Sequence, residues 1–218
     1  MDFISLIKTR RSIRLFQDKK IDRETAKKII EMATYAPSAC NIQGWRFIIV
    51  DKQDKKQEIV DYGGSINIKN APLGILALYD NRTKNTEYRD DIQSAAAAIQ
   101  NMLLTIHNLG LGACWICHLP SKKQLRKIFN IPSIMSPIAY ITIGYKKNEP
   151  EEMARKYNLN KIVSFNEFSS NIKIEEIKQS NLLIKKILTK IYLLMPVFIK
   201  RKWLNQYLNE NFVKKFKN

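Results

Sequence analysis

The feature that most restricts the fold of this chain is one long segment of small and apolar residues, DIQSAAAAIQNMLLTIHNLG, at positions 91–110. Its length predicts a helix of about five turns, and Gly110 suits the position just after a helix end. A helix that is small and apolar on all sides is usually buried, and its alanines allow another backbone to approach closely. We therefore expect this helix in the core or at an interface between subunits.

Shorter segments on both sides of this helix predict a mixed α/β fold. Four apolar runs have the length and composition of strands, at 45–50, 73–79, 112–118 and 137–145, and we expect the first two to be buried. Three further helices are expected, near the start of the chain, between Asp22 and Pro37, and after Ser121. Asp22 suits an N-cap, and Ser121 with Gln124 has the spacing of a capping box.

The C-terminal part of the chain differs in character from the rest. Residues 171–218 hold 11 Lys and Arg against three Asp and Glu, and apolar residues recur there at helical spacing until Pro196. We predict a core domain at 1–169 and a basic, amphipathic, helical extension at 170–218. The apolar stripe is interpreted either as packing on a partner subunit or as contact of residues 175–218 with a membrane surface or another protein.

The charge balance favours anionic partners. The chain has 37 Lys and Arg against 20 Asp and Glu, a net charge of +17. Phosphorylated cofactors, nucleic acid and acidic membranes all suit such an excess, although much of it can simply cover the surface. No nucleic-acid motif accompanies the charge, so we predict no nucleic-acid partner. No segment has the apolar core of a leader or of a spanning helix, and we predict a cytoplasmic protein, with peripheral membrane association left open.

Cys114, Cys117 and His118 match the C-x-x-C-H pattern of covalent haem attachment. That attachment normally requires export, and no leader is seen. A structural zinc site needs four ligands, and no second pair with fitting spacing is found. In a strand, Cys114 and Cys117 point to opposite faces, which disfavours a redox dithiol. We predict no metal site, and interpret the pattern as something other than metal or haem chemistry.

Three other segments carry basic and polar side chains suited to one anion, at 10–14, 36–47 and 151–165. The order and the sequences of these segments resemble those of the FMN-dependent nitroreductase family. The resemblance covers about residues 2–169 and rests on five motifs in the family's order: RRSIRLF, APSACNIQGWRFIIV, AAAAIQNMLLTIHNLGLGACWI, YITIGY and RKYNLNKIVSF. It implies a three-layer α/β (α+β) fold with a central, mostly antiparallel sheet, and a homodimer with FMN at its interface.

The resemblance also implies which residues hold the FMN. In one chain these are Arg10, Arg11, Ser12, Arg14, Ile116, Cys117, Arg155 and Lys156. A loop of the other chain contributes Pro37, Ser38, Ala39, Asn41 and Gln43. Arg10 is implied at the phosphate and Arg14 near the N1/C2=O side of the ring, where positive charge stabilises negative charge on the flavin. The backbone near Ile116 and Cys117 is implied at flavin N5.

The implied activity is hydride transfer from NADH or NADPH, through flavin N5, to a small organic acceptor such as a nitro compound or a quinone, by a ping-pong route. Because the cofactor performs this chemistry, no side-chain acid or base is required. Cys117 departs from the family, which usually has glycine there, and whether Cys117 or His118 takes part stays open. The alternatives are a flavin-dependent dehydrogenase or reductase of a biosynthetic intermediate, with the tail docking a membrane or partner, and a non-catalytic flavin-binding protein.

Overall fold

A four-stranded sheet forms the centre of the computed structural model, which describes residues 2–82 and 85–168 and the single positions 187, 190, 191 and 195. The strands are β1 (Trp45–Val50), β2 (Leu73–Asp80), β3 (Gly112–Ile116) and β4 (Met135–Gly144). They lie in the order β1-β2-β4-β3, and every neighbouring pair is antiparallel. The predicted antiparallel sheet is therefore confirmed.

Six α-helices surround this sheet in the described part of the chain. They are α1 (Phe3–Thr9), α2 (Arg23–Ala33), α3 (Gln53–Asp61), α4 (Asn67–Asn70), α5 (Asp90–Asn108) and α6 (Lys122–Phe129). Buried residues of α2 and α5 pack on one face of the sheet, and those of α3, α4 and α6 pack on the other. The structure thus has the three layers that the sequence predicted.

Helix α5 is the long segment of small and apolar residues that was predicted to be a helix at 91–110. Ala95, Ala98, Ile99, Met102 and Ile106 are almost fully buried against α2 and the sheet. The helix therefore lies in the core, one of the two places predicted for it. Its alanines permit the close packing with α2, whose own buried face includes another small residue at position 33.

The predicted helix caps are also present. The Asp22 carboxylate accepts the Thr25 backbone N–H at 2.7 Å and begins α2. Ser121 and Gln124 form a reciprocal capping box at the start of α6. These contacts involve residues close together in sequence, which is why the spacing alone predicted them.

Two strands differ from their predicted form. β1 is an edge strand, and only its two end residues are buried, so the expectation of a fully buried strand at 45–50 is wrong. β3 ends at Ile116, where it pairs with Tyr140, so the predicted strand 112–118 is too long and Cys117 and His118 lie beyond the observed one. Helices α3 and α4 were not predicted, because their mixed polar composition gives little helical periodicity.

The described residues divide into two units, one that ends at Pro150 and one that begins at Glu151. The predicted basic helical extension at 170–218, and with it the predicted contact by residues 175–218, falls almost wholly outside the described residues and stays a prediction. The predicted domain boundary at 169/170 also stays a prediction. Over the described part of the chain, no helix combines the length and apolarity needed to cross a bilayer.

Candidate functional site

The segment that follows α1 lies along the free edge of β3. Ser12 pairs with Ala113 in a parallel bridge, and the Ile13 backbone N–H donates to the Ala113 carbonyl at 2.8 Å. Gly112 leaves room for this contact, since a Cβ there would meet the Ile13 side chain. The arginines on either side of Ser12 are thereby fixed at one edge of the sheet.

Arg10 and Arg14 carry positive charge to this edge. Both lie close enough to the Cys114 side chain to favour its thiolate, but burial dominates and raises the pKa of the thiol above its ordinary value. Cys114 is therefore a protonated packing residue, and it belongs to the core cluster on the face of the sheet that α3, α4 and α6 cover. Arg10 and Arg14 therefore place positive charge beside the strand.

The residues predicted to contact flavin N5, Ile116 and Cys117, lie at the opposite end of β3 from Ala113. From Ala113, which pairs with Ser12, four residues lead to Cys117, a distance of about 13 Å along an extended strand. Cys117 is exposed and lies beyond the last β3–β4 pair. The edge thus offers basic side chains at one end and exposed backbone at the other. This arrangement suits an elongated ligand with an anionic terminus, as FMN is.

A cavity opens where α1, α5 and the end of β4 meet. It is narrow, with a volume of about 10 Å³ that leaves room for about one water molecule, and its basic lining residues are Arg10, Arg11, His107 and Lys146. Ile13, Leu103 and Leu111 contribute apolar walls. The positive charge of residues 10–14 is therefore continuous with that of Lys146.

His107 is held in place by α1. Its Nε2 lies 2.9 Å from the Thr9 hydroxyl oxygen, and that hydroxyl lies 2.7 Å from the Ser5 carbonyl. A hydroxyl has one proton, which the Ser5 carbonyl can accept, so Nε2 is assigned as the donor to Thr9. Burial lowers the pKa of His107, and nearby Lys146 and Arg10 lower it further. The bond to Thr9 ties α5 to α1 and gives the His107 ring a structural role.

The loop of residues 37–43 has a tightly defined backbone. The Ala39 N–H donates to the Ser94 hydroxyl at 3.1 Å, and the Gln43 N–H donates to the Ser38 hydroxyl at 3.0 Å. Asn41 and Gln43 both have left-handed φ angles, and their side chains bond to each other at 2.9 Å. Both residues are exposed. The loop therefore presents two amide side chains on a fixed backbone, as a binding loop requires.

This loop and the basic segment lie at opposite ends of α5. Ser94 holds the loop, whereas His107 contacts α1 just before Arg10. Thirteen residues of helix separate Ser94 from His107, which corresponds to about 20 Å. Within one chain, the structure brings together Arg10, Arg11, Ser12 and Arg14 with β3, but keeps the loop anchor well away from them.

Arg155 and Lys156 belong to the second unit, which begins at Glu151. The Arg155 guanidinium donates to the Met153 carbonyl at 3.3 Å, and the Lys156 ammonium lies 4.8 Å from the centre of the Tyr157 ring. A short 3₁₀ turn follows at Leu159–Lys161. The role implied for Arg155 and Lys156 at the phosphate stays a prediction.

The structure separates the cysteines of the C-x-x-C-H segment into different environments. Cys114 is buried in the core, whereas Cys117 and His118 are exposed after the strand ends. In residues 2–82 and 85–168, no three His, Cys, Asp or Glu side chains converge in a way that could hold a metal ion. Trp115 packs against the core cluster on the face of the sheet that α2 and α5 cover.

Sequence reasoning missed two contributors to this region, Ser94 and Lys146. Ser94 lies on α5 among alanines, where its contact with Ala39 has no local signal. Lys146 enters the cavity only because the chain after β4 returns beside residues 15–17, with the Lys147 N–H donating to the Leu15 carbonyl. Contacts of this kind depend on the tertiary fold and not on spacing.

Comparisons with known proteins agree with this architecture. The sequence model of the nitroreductase family matches residues 7–70 and 63–145. A candidate NADH dehydrogenase/NAD(P)H nitroreductase from Methanothermobacter thermautotrophicus is 35% identical over 156 residues, covering 69% of this chain and 80% of the relative. A similarly named protein from Archaeoglobus fulgidus is 33% identical over 154 residues, covering 68% and 87%. The solved structure of an FMN-dependent nitroreductase from Clostridium difficile aligns with a TM-score of 0.67 at 33% identity, covering 76% of this chain and all of that one.

Proposed function

Because this chain belongs to the nitroreductase family of NAD(P)H oxidoreductases, we propose that it binds FMN and transfers hydride from NADH or NADPH to a small organic acceptor, such as a nitro compound or a quinone. The observation that supports this most directly is the pairing of Ser12 with Ala113, which sets Arg10 and Arg14 along β3. A solved relative with the same fold is described as FMN-dependent.

The residues present suit this cofactor. Arg10 lies at the cavity end of the segment and supplies charge for a phosphate, and Ser12 supplies a hydroxyl beside it. Arg14 lies further along β3, toward the end where the backbone of Ile116 and Cys117 leaves the ladder. When bound there, FMN supplies an N5 atom that accepts hydride and passes it on. The protein's part is to bind the phosphate, orient the ring and place positive charge beside it.

We further propose that two copies of the chain complete each site. The loop with Asn41 and Gln43 is anchored about 20 Å along α5 from the residue that contacts α1. A loop so placed is well positioned to serve the site of another copy. Arg155 and Lys156 are proposed to join the phosphate contacts.

A charge variant tests the assignment of Arg14. With Arg14→Met we expect reduction of the bound flavin by NADH or NADPH to be roughly tenfold slower or more, because a positive charge facing the ring is lost. The measurement is the anaerobic loss of flavin absorbance after mixing with each nicotinamide. Lys123→Met, an exposed change on α6, is the matched control and should reduce at the wild-type rate.

The same measurement separates the proposed activity from its alternatives. Bleaching by a nicotinamide, followed by recovery of absorbance on adding a quinone or nitro compound, supports the proposal. A bound flavin that neither nicotinamide reduces contradicts it, and favours a dehydrogenase of another substrate or a non-catalytic flavin protein. Equal reduction rates in the Arg14 variant and its control contradict the placement of Arg14 beside the ring.

A further inference from the structure

One part of this chain lies outside what it shares with the solved relative from Clostridium difficile. That relative is covered completely, yet the match takes up only 76% of this chain. The nitroreductase family model matches from residue 7 to residue 145, so most of the unmatched part lies after residue 145. The extension predicted at 170–218 belongs to that part. Its role is therefore to be sought in its own residues and not in the shared fold.

The extension combines an excess of positive charge with aromatic residues. Residues 171–218 hold 11 Lys and Arg against three Asp and Glu. Lys200, Arg201 and Lys202 are consecutive, and Phe198 and Trp203 lie beside them in the sequence. Before Pro196, apolar residues recur at helical spacing, at Ile184, Ile187, Leu188, Ile191 and Met195. An apolar stripe next to basic and aromatic residues is typical of segments that lie at a membrane surface.

The described positions of the extension include two isoleucines on one side of a helix. Ile187, Lys190 and Ile191 are helical, and the Met195 N–H donates to the Ile191 carbonyl at 3.0 Å. Ile187 and Ile191 are one turn apart, so they lie on the same side of this helix. Their exposed fractions are 50% and 46%, and Lys190 between them is also exposed. About half of each isoleucine is therefore left uncovered by the rest of the chain.

The charge of the extension decides which kind of surface suits this apolar side. A second copy of the chain carries the same net charge of +17, so packing the extension on it brings like charges together. Nucleic acid matches the charge but has no hydrocarbon interior for isoleucine side chains. A bilayer with anionic lipids offers negative headgroups and hydrocarbon at the same boundary.

We propose that residues 184–203 dock on the surface of a bilayer that contains anionic lipids. The apolar side, with Ile187 and Ile191, enters the boundary between headgroups and acyl chains. Lys190 and the basic run Lys200–Lys202 stay at the level of the lipid phosphates. The segment lies along the surface and does not cross the bilayer. This inference is independent of the proposed function, because no residue assigned to the flavin takes part.

Docking of this kind has an electrostatic part and an apolar part, which respond to different changes. Attraction of Lys and Arg to anionic headgroups weakens as salt screens it, and it is lost on a neutral bilayer. Insertion of isoleucine depends on buried apolar area and responds little to salt. Both parts are needed, because neither a few charges nor a short apolar stripe holds a protein firmly on a membrane alone.

The test measures sedimentation of the full-length protein with lipid vesicles. One set of vesicles is phosphatidylcholine alone, and in the other phosphatidylglycerol makes up about one third of the lipid. The charge variant combines Lys200→Gln, Arg201→Gln and Lys202→Gln. Its matched control combines Lys20→Gln, Lys28→Gln and Lys123→Gln, which remove the same charge from exposed positions of the core domain.

A second pair of variants tests the apolar part without changing the charge. Ile191→Gln removes an isoleucine from the proposed docking side and keeps a residue that favours helix. Ile134→Gln is the matched control, because Ile134 has a similar exposed fraction, 41% against 46%, and lies in the core domain. Analytical ultracentrifugation without lipid gives the oligomeric state of all four variants.

We expect the wild type to sediment with the anionic vesicles and to stay in solution with phosphatidylcholine alone. The charge variant should bind the anionic vesicles roughly tenfold more weakly or worse, since each lost charge costs a few-fold in affinity. Ile191→Gln should bind several-fold more weakly at every salt concentration. Both controls should bind as the wild type does.

The inference is overturned if the wild type stays in solution with both kinds of vesicle. It is also overturned if the core control loses as much binding as the charge variant, because the general surface charge then carries the binding. A change of oligomeric state in Ile191→Gln, with vesicle binding unchanged, overturns it in favour of packing on a second copy. A protein that binds no flavin but sediments with anionic vesicles contradicts the proposed function and still supports this inference.

Discussion

Tyr140 lies fully buried in β4, and its hydroxyl has no hydrogen-bond partner among the described residues. The ring fills the space that Gly74 leaves on the neighbouring strand, since a Cβ at position 74 would collide with it. Burial raises the pKa of the hydroxyl far above its ordinary value, so it stays neutral. The Tyr140 ring thus fills the space beside Gly74, and its hydroxyl makes no hydrogen bond with the described residues.

Tyr140→Phe removes the hydroxyl that has no partner among the described residues and keeps the ring. We expect the free energy of unfolding to stay the same or to rise by about 1 kcal/mol, because no buried polar group is left without a partner. Urea unfolding followed by circular dichroism measures this. Gly74→Ala is the contrasting variant and should lose about 1–3 kcal/mol through overpacking. A loss of stability in Tyr140→Phe would mean that the hydroxyl has a partner after all.

His107 makes the stability of the protein depend on pH. Its pKa in the folded chain lies below the ordinary value of 6.5, so the unfolded chain binds more protons as the pH falls through this range. We therefore expect the wild type to lose stability below 6.5, and His107→Gln to lose less on the same acidification. Urea midpoints at neutral and acidic pH, without phosphate or flavin, measure the difference. Identical acid sensitivity in both proteins would contradict the assigned environment of His107.

At this scale the sequence predicted the residues that lie in one short motif and missed those that meet through the fold. Arg10, Ser12 and Arg14 were predicted together, and the structure sets them along one strand edge. Lys146 and Ser94 could not be predicted, because their contacts require β4 and the loop of residues 37–43 to be in their folded positions.

At the scale of elements, the loop of residues 37–43 depends on one bond from α5. The Ser94 hydroxyl accepts the Ala39 N–H, and Ser94 itself is buried. Because three residues near the tip of this loop have left-handed φ angles, its shape is not the one that a free chain prefers. The bond from Ser94 therefore helps to hold a backbone conformation that is costly in isolation.

Ser94→Ala should loosen this loop without unfolding α5. We expect the Ala39 amide to exchange its hydrogen faster and flavin affinity to fall several-fold, because the amide loses its acceptor. Thr105→Ala is the matched control, since the Thr105 hydroxyl bonds only within α5, to the Asn101 carbonyl. Hydrogen exchange read by mass spectrometry, together with a flavin titration, gives both results. Unchanged exchange at residue 39 would show that Ser94 does not hold the loop.

Elements with strong local signals were predicted well. Helix α5 and the capped helices α2 and α6 were predicted because composition, caps and end signals agree there. β1 differs because its position at the edge of the sheet is a property of strand order, which local sequence does not contain. β3 ends two residues earlier than its apolar run suggests, because its last pair with β4 is Ile116 with Tyr140 and no local signal marks that end.

At the scale of the whole molecule, the two-chain site makes a prediction that no single-chain site makes. Arg14→Met damages the basic segment, and the double variant Asn41→Gly with Gln43→Gly damages the loop while keeping its left-handed backbone accessible. Each variant alone should be nearly inactive. Unfolded together and refolded as a mixture, they should recover about a quarter of wild-type activity, because half of the dimers then carry one intact site.

Nicotinamide-dependent turnover of the mixture measures this recovery. A mixture of either variant with itself is the control and should recover nothing. If the mixed sample stays as inactive as its components, the loop serves its own chain and the two-chain proposal is wrong.

The visible absorbance spectrum of the purified full-length protein tests the central proposal most directly. We expect a yellow protein with the two broad bands of an oxidised flavin, at one FMN for each chain, that bleaches when NADH or NADPH is added without oxygen. A protein that is colourless as purified, and that takes up no flavin when incubated with FMN, would contradict it.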